Sequence, residues 1–282
     1  MKEIKREKLT GERALFGENE TYITECVFDD GESPLKHCKD LTISKTLFRW
    51  KYPLWYSNNI SMSECTLFEN ARAGIWYTDN FKALNTVIEA PKSFRRCSHI
   101  ELENTTFTNA HETLWNCRDI SLKNVSVLHG DYLAMNSENI TANNLTLVGN
   151  YAFDGAKNVT VENSRFITKD AFWNSDNITV TNSFISGEYL GWNSRNLTFI
   201  DCVIESLQGL CYIDNLVMKN CTLINTTLAF EYSSVEADIK GKIDSVLNPK
   251  SGTITADKID SLILEKDRID PGKVSVIIRQ SK

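Results

Sequence analysis

Apolar residues recur in this chain at i and i+2, and the pair itself recurs about every 19 to 21 residues. The first member reads Leu41, Ile60, Phe81, Ile100, Ile120, Ile140, Val159, Ile178, Leu197, Leu216 and Val235; the second reads Ile43, Met62, Ala83, Leu102, Leu122, Ala142, Val161, Val180, Phe199 and Met218. Spacing by two puts both on one face of a strand, with Thr160, Thr179 and Thr198 on the other. A repeat this short cannot bury a core of its own and must stack on its neighbours, which predicts a solenoid. Leu114-Trp-Asn-Cys-Arg-Asp-Ile120 and Phe172-Trp-Asn-Ser-Asp-Asn-Ile178 show how closely one repeat copies another.

Polar positions repeat with the same period. Four residues after the first apolar column stand Asn85, Asn104, Asn124, Asn144, Asn163, Asn182, Asp201 and Asn220. Just before that column stand Asn59, Asn80, Asp119, Asn139, Asn158, Asn177, Asn196 and Asn215. Asn tolerates the left-handed backbone region at a bend, and stacked amides can bond along the row. After the first bend comes another inward position, filled by Phe48, Leu67, Ile88, Phe107, Val127 and Leu147. A third connection of variable length follows, as from Glu69 to Gly74 or Glu89 to Ser93. Three short strands per coil and no helical periodicity predict an all-β, single-stranded right-handed parallel β-helix of about 12 coils; parallel crossovers are overwhelmingly right-handed. Residues 1–13 are expected to cap the N-terminal end and 14–239 to form the regular coils of one domain. Residues 240–282 are expected to supply an irregular terminal coil and a C-terminal cap, because an open solenoid end exposes unpaired backbone.

Composition narrows the function classes. The chain has 282 residues and a net charge of −6, which argues against nucleic acid, whose binding needs clustered Lys and Arg. No stretch approaches the apolar length of a membrane span, and the first eight residues carry no apolar run, so neither membrane insertion nor a leader is expected. Eight Cys are present. Most fall in two inward columns, Cys26, Cys65, Cys202 and Cys221 in one and Cys38, Cys97 and Cys117 in the other, where Ser, Thr and Ala alternate with them. They read as reduced, buried filler, and a cytoplasmic location follows. The four His are scattered and no CxxC or HxxxH spacing exists, so neither a metal nor a cofactor is expected.

The Asn rows, the three-strand coil and the closing segment Ile239-Lys-Gly-Lys-Ile-Asp-Ser-Val-Leu-Asn-Pro-Lys-Ser-Gly-Thr-Ile254 resemble an uncharacterised bacterial family of small β-helix proteins in the pectate-lyase-like superfamily. The resemblance spans residues 11 to about 265. It implies a right-handed parallel β-helix and brings no known activity. The polygalacturonase pattern of that superfamily does not carry over: Asp29-Asp30 is present, but the Asn-Thr-Asp and Gly-His-Gly are not. No calcium cluster of the pectate-lyase kind is visible either.

One column does not read as core. Five residues before the first apolar column stand Lys36, Trp55, Trp76, Arg95, Trp115, Met135, Asp154, Trp173, Trp192, Cys211 and Phe230. The preceding residue is apolar in every coil, so alternation places this column outside, and unpaired Lys, Arg and Asp do not belong in a dry core. Tyr52, Lys92, Glu112, Tyr132, Tyr151, Asp170 and Tyr189 lie at the turn beside it. An exposed aromatic strip marks an interaction site. Three readings are open: an extended ligand, with carbohydrate or glycoconjugate the leading class because indole faces stack on sugar rings; a homo-oligomer interface of a non-catalytic structural protein; or satellite core beneath the C-terminal tail. Trp55, Trp76, Arg95, Trp115, Trp173 and Trp192 are the candidate ligand-binding residues. Glycoside hydrolysis would need two carboxyl groups, and Asp154 with Asp170 is the candidate catalytic pair. Whether the protein is an enzyme is left open.

Overall fold

The computed structural model describes residues 2–280, so Met1 of the expected N-terminal cap and Ser281 and Lys282 of the expected C-terminal one lie outside the described residues. The fold is an all-β, right-handed parallel β-solenoid of about 15 turns, somewhat more than the 12 expected. The excess has a simple cause. Apolar side chains, not the Asn rows, make a coil, and strand pairing runs on at both ends where the Asn rows are absent. Thus Lys2–Lys5 pairs with Thr21–Thr24 and buries Ile4, and Val274–Ile278 pairs with Gly252–Ala256. Among the described residues no α-helix occurs; two short 3-10 turns lie at Glu69–Ala71 and Pro271–Lys273.

Two compact units divide the chain, Met1–Val148 and Gly149–Lys282. In the first, eight parallel strands stack in register, at Lys2–Lys5, Asn19–Thr24, Lys39–Ser44, Asn58–Ser63, Asp79–Leu84, Ser98–Glu103, Arg118–Val127 and Glu138–Val148. Leu41 pairs with Ile60, Ile60 with Phe81, Phe81 with Ile100, Ile100 with Ile120 and Ile120 with Ile140, the column read from the sequence. The third strand of the coil differs from expectation. Leu54–Trp55, Ile75–Trp76 and Phe94–Arg95 form a separate three-stranded sheet, while later coils turn at this place. There Leu114 and Ala134 take φ of 60° and 58°, which breaks the extended run.

In the second unit the same column runs Val159, Ile178, Leu197, Leu216 and Val235 on successive paired strands. Lys242–Leu247 and Lys258–Ile263 pair apart from the main sheet. Each unit has an aromatic core: Phe48, Phe81, Phe94 and Phe107 in the first and Phe153, Phe166, Phe172, Phe199 and Phe230 in the second are fully buried. Full burial of a Phe contributes about 1.5–3 kcal/mol, so these rings anchor the coils.

The corners follow from the Asn rows. Asn85, Asn104 and Asn124 have φ of 49°, 49° and 53°, the region Asn tolerates best among residues with a Cβ. Their amides form a ladder: Asn104 Nδ2 donates to Asn85 Oδ1 at 3.1 Å, Asn124 to Asn104 at 3.1 Å and Asn144 to Asn124 at 3.0 Å. In the second unit Asn177 donates to Asn158 at 2.8 Å and Asn182 to Asn163 at 2.7 Å. All eight Cys are free and buried. The Cys97 thiol donates to the carbonyl of Ile75 at 3.2 Å. One and two coils earlier, Thr78 donates to Leu54 O at 2.9 Å and Ser57 to Leu35 O at 2.8 Å. The column therefore selects a small donor, which explains why Cys, Ser and Thr interchange in it. Burial pushes the Cys38 and Cys65 thiols up to about 11 and Cys211 up to about 12, so these thiols stay protonated at neutral pH.

Candidate functional site

The outer column of the first unit forms a stacked ladder. Trp55 and Trp76 lie face to face, with ring centroids 5.1 Å apart and planes 5° off parallel. The Arg95 guanidinium sits 4.8 Å from the Trp76 ring and 4.6 Å from the Trp115 ring, a cation held between two indoles. Each of these indoles is also tied to the following coil. Trp55 Nε1 donates to Ala73 O at 2.6 Å, Trp76 Nε1 to Lys92 O at 2.9 Å and Trp115 Nε1 to Tyr132 O at 2.6 Å. The acceptors belong to the left-handed corner residues beside the ladder, where Ala73, Lys92 and Tyr132 have φ of 51°, 58° and 59°.

This geometry changes what the strip can do. Parallel coils repeat at about 4.8 Å, close to an aromatic stacking distance, so identical side chains in register turn their faces to each other. Trp76 has Trp55 on one face and Arg95 on the other. Both faces of Trp76 are thus used inside the ladder, and its ring edge is what is left for solvent. The indoles are half-buried.

A second ladder lies one residue further along and was not read from the sequence. His37 stacks on Tyr56 at 5.2 Å, Tyr56 on Tyr77 at 4.7 Å with planes 4° apart, and Arg96 lies 5.9 Å from the Tyr77 ring. These residues also sit at a left-handed corner, with Tyr56, Tyr77 and Arg96 at φ of 55°, 56° and 53°. The available signal was the Asn that fills the same place in later coils: Asn116, Asn136, Asn174 and Asn193.

In the second unit Trp173 and Trp192 are 6.0 Å apart, and Tyr212 covers the far side of Trp192 at 4.3 Å. Trp173 Nε1 donates to Tyr189 O at 2.7 Å. The outer column ends there. Cys211 and Phe230, expected outside with the rest of it, are buried at 1% and 0% exposure. Leu210 takes φ 64°, as Phe172 does at 63° before the outward Trp173, so the backbone is not the cause; the Cys211 thiol turns in to donate to the carbonyls of Gln208 and Gly209 at 3.1 and 3.5 Å.

Each unit carries a shallow groove between the corner row of Asn116 or Asn174 and the first residues of the following strands. In the first unit it is lined by Arg96, Ser98, Asn116, Arg118, Asn136 and Glu138. In the second, Asn174, Asp176, Asn193, Arg195, Tyr212 and Asp214 line the equivalent place. Amides there are ordered by their neighbours: Asn193 Nδ2 donates to Asn174 Oδ1 at 2.8 Å.

A cluster closes the first ladder at its turn. Glu112 accepts from Arg95 Nη2 at 3.0 Å and Lys92 Nζ at 3.1 Å, with His111 Nε2 at 3.3 Å from its other oxygen. Burial opposes the Glu112 charge, but Lys92 and Arg95 overcome it and hold the carboxyl below its ordinary value.

The two candidate catalytic carboxyls meet different surroundings. Asp154 is in the amide row, accepting from Asn174 Nδ2 at 2.8 Å. Asp170 is 8% exposed; burial raises its pKa, against a hydrogen bond from Tyr151 that lowers it. Among the described residues no group of three or more His, Cys, Asp or Glu is placed to hold a metal ion, and no helix is long and apolar enough to cross a membrane.

Fold and corners together define a parallel β-solenoid whose outer turns carry stacked aromatic and amide rows. The chain belongs to the family described as protein of unknown function, DUF3737, whose model matches residues 2–277. No curated protein matches it. Among solved structures, the surface adhesin PfbA of Streptococcus pneumoniae is similar at 11% identity and a TM-score of 0.38, over 78% of this chain and 71% of that one. The A-module of the mannuronan C-5 epimerase AlgE4 from Azotobacter vinelandii is similar at 7% identity and 0.31, over 96% and 87%. A tailspike mutant of E. coli bacteriophage HK620, in complex with a pentasaccharide, is similar at 12% identity and 0.36, over 92% and 67%.

Proposed function

We propose that this protein binds an extended carbohydrate or glycoconjugate along its aromatic corner. The observation that carries the reading is the recurrence of one groove in both units, each lined by exposed amides and charged side chains from the same two rows. A linear polymer presents hydroxyls at a regular interval, and rows of Asn repeating coil by coil offer a donor and an acceptor at a regular interval. The ladders make that corner rigid, so little side-chain freedom is lost on binding. Trp55, Trp76, Arg95, Trp115, Trp173 and Trp192 act in this reading through their edges and by fixing the corner.

The test is titration calorimetry with oligosaccharides against the whole chain and against Asn116→Gly/Asn136→Gly. Glycine keeps the corner backbone, whose φ is 51° and 52° at these residues. The variant is expected to bind about tenfold more weakly or worse, as two hydrogen-bonding amides are lost, with its melting temperature nearly unchanged. Full binding by the variant overturns the reading.

A second reading is favoured by the exposure of Tyr56 at 44% and Tyr212 at 38%: a structural protein that self-associates through the same face. The pectate-lyase-like superfamily is the ancestry we propose, on the coil pattern. Cytoplasm is the compartment we propose, supported by the eight buried free thiols.

A further inference from the structure

We infer that the groove of the first unit takes an anionic group of the ligand, the carboxylate of an acidic sugar, between the guanidinium groups of Arg96 and Arg118. The inference rests on the groove reading above and names the chemistry of its ligand.

Arg96 and Arg118 line the same groove from neighbouring coils. Register places them there, since Arg95 bridges to Trp115 and Ser98 pairs with Arg118. Both side chains are exposed. They share one groove, and little neutralises them there. Arg96 has the Tyr77 ring at 5.9 Å and no carboxylate within ion-pair distance among the described residues. Arg118 Nε reaches Asp119 only at 4.0 Å. That carboxylate already accepts from Asn139 at 2.9 Å and lies 3.6 Å from His99 Nε2.

Several basic groups of this unit are matched, while Lys36 faces the Trp55 and Tyr56 rings, away from this groove. Arg95 and Lys92 share Glu112, Lys82 meets Glu101 at 3.0 Å, and Lys123 meets Glu103 at 2.7 Å. In the groove of the second unit the guanidinium is matched: Arg195 pairs with Asp176 at 2.9 Å, and a further carboxylate there, Asp214, meets Lys250 at 3.1 Å. On a chain of net charge −6, two weakly matched guanidiniums lining one groove from adjacent coils make a local site for one anion. A guanidinium binds a carboxylate through paired N–H donors, and such charge-assisted bonds are the strong ones.

Size and sign are bounded as well. Glu138 pairs with Arg118 in register on the next coil, on the side of Arg118 away from Arg96, and lines the same groove. A carboxylate there accepts from sugar hydroxyls and repels a second anion. The groove thus suits an acidic sugar beside a neutral one, and disfavours a polymer charged at every unit, such as a nucleic acid.

The test uses the whole chain and oligosaccharides of several backbones, each with alternating uronic acid and neutral units, compared with their carboxyl-reduced forms. The acidic form is expected to bind about tenfold or more tightly than the reduced form, the scale of one charge-assisted contact. Arg96→Gln/Arg118→Gln should bind both forms alike, at the level of the reduced one, and melt as the parent does. Arg165→Gln, an exposed residue of the second unit, should keep the full preference. Equal binding of both forms by the parent, or a preference that survives the double variant, overturns the inference and leaves the groove reading standing. Binding of neither form defeats the groove reading. If inorganic sulfate then still binds the parent and not the double variant, the anion site survives alone, without a sugar. A single-stranded oligonucleotide that binds as tightly as the acidic sugar overturns the sugar assignment.

Discussion

Glu112 shows how one residue can hold a corner together. It joins Lys92, Arg95 and His111, and through Arg95 it fixes the space between Trp76 and Trp115. Its pKa in the folded chain is depressed, so its contribution is present above the ordinary value of 4.5 and is lost as pH falls through the lower, folded value. Denaturant melts between pH 6 and 3 should show this loss, and Glu112→Gln should flatten it. Arg95→Ala leaves the carboxylate unmatched and opens the cation's place between the indoles; a loss of about 1–3 kcal/mol is expected from the same melts at neutral pH. Asp170 behaves in the opposite sense. Burial raises its pKa above 3.8, so the folded state gains stability as pH falls through the raised value and levels off below 3.8. Asp170→Asn keeps an acceptor for Tyr151 and should remove that slope, without cost at pH 7.

At the scale of the coil, the amide ladder makes two separable contributions. Asn124 accepts from Asn144, donates to Asn104, and holds φ 53°. Asn124→Ala should lose both the amide bonds and the tolerance of the left-handed region, about 2–3 kcal/mol together. Asn124→Gly should recover the backbone part, about 1–2 kcal/mol, leaving the amide part. Melts of the two variants read the split directly; equal losses would mean that the backbone is not what Asn supplies there. The donor column makes a contrasting case. Cys97 does what Thr78 and Ser57 do in earlier coils, so Cys97→Ser should stay within about 1 kcal/mol of the parent.

For the molecule as a whole, the two functional readings part on the aromatic face. Trp173 and Trp192 contact each other and Tyr212, and Trp173 is tied to Tyr189 O. Trp173→Ala/Trp192→Ala should therefore lower the melting temperature clearly, since partly buried, mutually stacked rings are removed, while the mass by light scattering stays that of the parent. A change in mass with an unchanged melt would instead favour self-association through this face.

Much of this architecture was legible in the chain. A two-residue apolar alternation repeated every 19 to 21 residues leaves parallel stacking as its way to bury a core, so within each unit the column aligns as it does in the sequence, from Leu41 to Ile140 and from Val159 to Val235. The Asn rows announced left-handed corners because few other residues with a Cβ accept them. The Trp column announced an outer face because Lys, Arg and Asp share it. What the column could not reveal was the direction of the rings. Only the tertiary register, which brings like side chains to stacking distance, turned the Trp55 and Trp76 faces toward each other and set Arg95 between Trp76 and Trp115. Register also built the second ladder from Tyr56, Tyr77 and Arg96, turned Cys211 and Phe230 inward, and drew Arg96 and Arg118, 22 positions apart in the chain, to one groove. Alternation along a strand is a local property that a sequence carries by itself. Which ring faces which, and which charges share a groove, depends on residues a full coil away, and only the stacked fold decides it.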